Sequence, residues 1–96
     1  MPAYIVVETD IHDAEQYELY KQATPAAVAA GGGRFIARGG ALTVLEGDWQ
    51  PQRIVLLEFP DLEAAERFYE SPEYQEAKRL REGAADLNMV AVEGVA

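Results

Sequence analysis

Residues 53–59 read Arg-Ile-Val-Leu-Leu-Glu-Phe, the most continuous apolar run in the chain. The run holds no Gly or Pro and predicts a strand central in its sheet. Strand side chains alternate between two faces, so a strand with one wet side alternates apolar and polar residues. This one does not: Ile54 and Leu56 oppose Val55 and Leu57, and both faces are apolar. Residues 3–9, AYIVVET, repeat the pattern, with Tyr4 and Val6 set against Ile5 and Val7. A sheet built on these two strands needs cover on both sides.

Outward from the strands, the remaining elements follow from caps and breakers. Asp13 reads as a helix N-cap with Gln16 at capping-box spacing, and Tyr17, Tyr20, Thr24, Ala27 and Val28 form one helical stripe. Pro25 predicts a kink, or a restart capped by Thr24, and Gly31-Gly32-Gly33 ends the helix. Residues 34–38, RFIAR, alternate, and Gly39-Gly40 predicts a tight turn into a second extended piece over Leu42 to Glu46, a hairpin arm. Asp61 caps a second long helix that Ser71-Pro72 interrupts, and a last strand runs over about residues 87–93. The order is βαββαβ, an α+β ferredoxin-like sandwich in one domain over residues 1–96, its antiparallel sheet carrying two helices on one face. The helices suffice for one face only. The other is expected to pack on a second copy, making a homodimer through the sheet faces; loops, the hairpin arm and the C-terminal tail are the alternative cover.

Composition bounds the function. At 96 residues there is no room for a catalytic domain plus a substrate domain, and so small a chain gains stability from a partner subunit. Seventeen acidic against eight basic residues give a net charge of −9, which repels nucleic acid and anionic membranes alike. The absence of cysteine removes thiolate nucleophiles, Fe–S clusters and Cys-type zinc sites. A lone histidine, His12, cannot build a multi-His metal site, and its polar surroundings predict an exposed turn residue. No dinucleotide fingerprint, P-loop, nucleophile elbow or HExxH occurs, so neither a cofactor nor a metal is expected. No basic segment leads into a long apolar one, and a cytoplasmic protein is expected.

Four pieces in register carry a resemblance: Gly32 to Gly40 (GGRFIARGG), Leu45-Glu46-Gly47-Asp48-Trp49, the Arg53 to Pro60 strand, and Ala64-Ala65 with Phe68 to Tyr74 (FYESPEY). Together they resemble the DUF1330 family over nearly the whole chain. The resemblance implies membership of the dimeric α+β barrel superfamily, in which ferredoxin-like subunits pair through their sheets. It implies no established reaction, although the superfamily holds cofactor-independent monooxygenases, muconolactone-isomerase-like enzymes and heme proteins. Family members often carry Trp near the position of Phe68, so this chain lacks an indole there; heme-type partners at matched positions are also missing.

Candidate site residues are few. Arg34 and Arg38, two strand steps apart about Ile36, are expected on one face, suited to clamp a carboxylate or enolate or else to pair with Glu46 or Glu58. Glu58, inside the apolar run, is a candidate general acid or base, with an ion-paired carboxylate as the plainer reading. Tyr17, Tyr20, Tyr69 and Tyr74 lie on faces that meet the sheet and read first as core. Tyr74 with Ser71, at the Ser-Pro break, and Arg81 are candidate ligand contacts. Trp49 reads as an interface anchor or as a lid over its own core. The function expected is a homodimeric small-molecule-binding domain, more specifically a cofactor-independent, monooxygenase- or isomerase-like enzyme on a small anionic organic compound. Arg38 and Glu58 would be catalytic, and Arg34, Arg38, Ser71, Tyr74 and Arg81 ligand-binding. The alternative is a non-catalytic dimerisation or interaction module.

Overall fold

The computed structural model describes residues 1–95. Strands β1 (Ala3–Ile11), β2 (Arg34–Arg38), β3 (Arg53–Phe59) and β4 (Ala85–Glu93) form one antiparallel sheet in the order β2-β3-β1-β4. Helices α1 (Ala14–Ala30), α2 (Leu62–Glu70) and α3 (Pro72–Arg79) pack on one face. This is the ferredoxin-like βαββαβ architecture, with the second helix split in two. The caps are those the side chains dictate: Asp13 accepts from the Gln16 amide and Asp61 from the Ala64 amide. Ser71 closes α2 by donating to the Phe68 carbonyl and opens α3 by accepting from the Tyr74 amide.

Burial separates the two faces. Ile5, Val7, Val55, Leu57 and Phe59 point into the helices and are buried, joined by Tyr17, Tyr20, Phe68 and Tyr74. The opposite residues Tyr4, Val6, Ile54 and Leu56 are half-buried, while Val90 and Val92 on the edge strand are exposed. In register, Leu56, Val6 and Val90 lie in one row and Tyr4 and Val92 in the next, so apolar side chains are contiguous across three strands of the outer face. Both faces are apolar, as residues 53–59 require.

Three expectations are corrected. The helix does not restart at Pro25 with Thr24 as a cap: α1 runs through it to Ala30. Leu42 to Glu46 forms no strand; β2 pairs directly with β3, and residues 39–52 become one long connection that is exposed almost throughout. Arg34 and Arg38 do not share a face. A β-bulge leaves Ile36 without a partner, so that Arg34 lies opposite Glu58 and Arg38 opposite Val55. One extra residue reverses the alternation, sending Arg34 to the outer face and Arg38 to the helix face.

Candidate functional site

A cleft of about 460 Å³ opens between β4 and the α2–α3 pair. Its floor is apolar, from Ile5, Leu87, Met89 and Ala91, and its walls carry Tyr69, Lys78 and Arg81, with Glu66 and Glu70 at the rim. Lys78 Nζ donates to Tyr69 Oη at 2.8 Å. Arg81 Nη2 donates to Tyr74 Oη at 3.4 Å, the guanidinium lies 5.3 Å from the Tyr20 ring centre, and the buried Nε has no partner. Burial works against this charge, but the hydrogen bond to Tyr74 and the neighbouring phenols outweigh it, so the Arg81 pKa is raised. Arg81 is therefore a fixed cation with unspent donors, beside an apolar floor.

Behind it runs a chain of buried phenols. Tyr74 and Tyr20 share a 2.8 Å hydrogen bond, Tyr20 packs on Tyr17 at 5.3 Å between ring centres, and Tyr17 Oη accepts from Arg53 Nη1 at 3.3 Å. Burial above all, with Tyr74 adjacent, pushes the Tyr20 phenol above its ordinary range, so it stays neutral and serves as a hydrogen-bonding group. Tyr17, Tyr20 and Tyr74 are core in position, as helical spacing says, yet tie the two ends of the helix–sheet interior together.

The structure brings Tyr74 and Arg81 together and scatters the other candidates. Arg34 Nε and Glu58 Oε1 form a 2.7 Å ion pair on the outer face, away from the cleft, which was the plainer reading of both. Ser71 Oγ is occupied in both directions by the helix junction, so the Ser-Pro break leaves no free hydroxyl there. Arg38 lies on the helix face but is exposed, donating to the Lys21 carbonyl at 2.6 Å and to Thr24 Oγ1 at 3.3 Å. The space it shares with Tyr74 holds only about 30 Å³, room for a water and not for an organic ligand. Phe68 packs at 5.0 Å on Phe59 and 4.9 Å on Tyr74 between ring centres, buried in the core. Trp49 is 60% exposed, its Nε1 donating to Glu8 Oε2 at 2.7 Å across the outer face, so it is no lid over its own core. Exposed His12 pairs with Asp86 at 2.8 Å, and with Asp10 the three bring donor atoms within 4.8 Å. Sequence reasoning missed Lys78 and Arg53, because the phenols they meet, Tyr69 and Tyr17, are brought to them only by the fold.

A family model described as "Domain of unknown function (DUF1330)" matches residues 2–95. The chain belongs to the DUF1330 family. No curated protein matches it. Among solved structures, this DUF1330 domain is similar to the RPA0582 protein of unknown function from Rhodopseudomonas palustris, with TM-score 0.76 and 20% identity over 99% of this chain and 83% of that one. It is similar to SnoaB, a cofactor-independent oxygenase from Streptomyces nogalater, with TM-score 0.66 and 13% identity over 99% of this chain and 94% of that one. A dimeric ferredoxin-like protein of unknown function from Bacteroides fragilis matches with TM-score 0.56 and 17% identity over 97% of this chain and 96% of that one. At these identities the likeness is one of fold. No helix among the described residues is long and apolar enough to cross a membrane.

Proposed function

We propose that this DUF1330 domain works as a homodimer and binds a small anionic organic molecule in the cleft between β4 and α2–α3. Arg81 carries the reading: it is a guanidinium without a side-chain carboxylate partner among the described residues, braced by Tyr74 and Tyr20, with a buried Nε unspent, on the wall of a cleft of about 460 Å³. Such a group holds a carboxylate or an enolate, while the floor of Leu87 and Met89 takes the carbon skeleton. The chemistry suited to this arrangement is isomerisation, or oxygenation with dioxygen as the oxidant, through an electron-rich anion, with Arg81 stabilising the negative charge as it develops. The similarity in fold to SnoaB supports a cofactor-independent form of it. Glu58 lies outside this cleft, so the proton handled in such a reaction would pass through the ligand or the rim carboxylates Glu66 and Glu70.

A non-catalytic interaction module is the second reading, favoured by the near-solid interior beside Arg38 and Tyr74. Thermal unfolding with and without aromatic carboxylates such as salicylate separates the two. A binding domain gains melting temperature with ligand concentration, and Arg81→Met abolishes the gain while Arg34→Gln, on the outer face, keeps it. Equal responses from the wild type and Arg81→Met, with both folded by circular dichroism, would refute the cleft as the binding site.

A further inference from the structure

Eight basic residues serve a chain of net charge −9, and most of those at the surface are answered by a carboxylate: Lys21 by Glu18, Arg34 by Glu58, Arg67 by Glu63, Arg79 by Glu76. Apart from Lys78 and Arg81 at the first cleft, the exceptions are Arg38 and Arg53. These two come together at the far end of the interior, where Glu18, Lys21, Gln22, Pro25, Arg38 and Arg53 wall a separate cleft of about 420 Å³.

Each guanidinium is held from behind by groups that carry no charge. Pro25 has no N–H, so the Lys21 carbonyl one turn earlier loses its helical donor, and Arg38 Nη2 takes that place at 2.6 Å. The Phe35 ring lies 4.4 Å from the same guanidinium. Arg53 is steadied by Tyr17 Oη at 3.3 Å and lies against Gly39, where a Cβ would fall 2.7 Å from Arg53 Nε. Gly39 also takes φ +70°, which favours glycine. A proline inside a helix and a left-handed glycine in a strand connection both cost stability, and both make room for an arginine. The result is two positioned cations that no carboxylate among the described residues pairs with, each keeping N–H donors free. Glu18, on the same wall, is already engaged by Lys21 at 3.3 Å.

We propose that the Lys21–Arg38–Arg53 cleft is a second anion site, taking a compact oxyanion of carboxylate or phosphate type. It stands independently of the β4 cleft. The test is a titration of the full chain with inorganic phosphate and, separately, malonate at constant ionic strength, read by the NMR signals of the arginine Nε–H groups and by melting temperature. Saturable shifts at Arg38 and Arg53, with Arg67 unmoved, are expected. Arg53→Gln should weaken binding about tenfold, the equivalent of one charge-assisted hydrogen bond, and Arg38→Gln should do likewise, while Arg81→Gln leaves it intact. A preference for phosphate or for malonate names the kind of oxyanion. Shifts that never saturate, that appear equally at Arg67, or that survive both Arg53→Gln and Arg38→Gln would overturn the site; loss of salicylate stabilisation in Arg81→Met alone bears only on the β4 cleft.

Discussion

His12 Nε2 and Asp86 Oδ2, 2.8 Å apart, join the end of β1 to the start of β4. The hydrogen bond to Asp86, reinforced by the charges of Asp86 and Asp10, raises the His12 pKa above its ordinary value. A pKa raised by folding stabilises the folded state fully below the unfolded value and loses that contribution as pH climbs through the folded one. Stability should therefore decline slightly as pH rises from the ordinary imidazole value of 6.5 through the raised folded one. Asp86→Asn should flatten that decline and lower the imidazole midpoint seen by NMR; an unchanged midpoint would show the pair to be idle. At this scale the sequence was legible for types and not for partners. Helical spacing marks Tyr17, Tyr20 and Tyr74 as inward. It says nothing of the Arg81 guanidinium resting on two of those phenols, because that contact closes only when the turn after α3 packs over α1. Glu58 looked like a desolvated base because its strand is apolar, but a cross-strand arginine answers it.

Pro25 is the element whose effect is most open to measurement. Within a helix, proline costs about 3 kcal/mol relative to alanine, and here Arg38 offsets part of that by satisfying the Lys21 carbonyl. Pro25→Ala restores the backbone donor, so the urea midpoint should rise by the equivalent of about 1–2 kcal/mol. The same substitution frees Arg38 from the carbonyl and should broaden its Nε–H signal; a midpoint that falls would mean that α1 is held mainly by contacts the proline ring itself makes. Caps and breaks were readable because their chemistry is local: Asp13, Asp61 and Ser71 each satisfy amides within the next turn. The hairpin arm was not. Gly39 does turn the chain, but β2 finds its partner in β3, and Leu42 to Glu46 does not pair with the edge that β2 leaves open. Pairing is non-local, and a short apolar run with glycines in front of it reads the same whether or not it pairs.

For the whole molecule, the outer sheet face is where the proposed dimer is tested. Tyr4, Val6, Ile54, Leu56, Val90 and Val92 line one contiguous apolar surface that no helix of this chain covers, and Leu42, Val44, Leu45 and Trp49 of the long connection are exposed as well. If the proposed dimer closes on that face, Val90→Lys should convert it to a monomer by sedimentation at micromolar concentration. Val90 is 61% exposed in the single chain, so the substitution should leave the subunit folded. A wild type that sediments as a monomer would remove the dimer from the proposal. The fold itself was legible from two strands that are apolar on both sides, since that pattern demands two layers of cover whatever the details. The unpaired Ile36 has a further consequence. Deleting it would make β2 a regular strand with the same cross-strand pairs, so Arg34 and Arg38, then three steps apart, would still look opposite ways and keep their present neighbours. The pairing register, more than the number of residues between them, thus assigns one guanidinium to the outer face and the other to the helix face, and leaves each free to be altered without disturbing its twin.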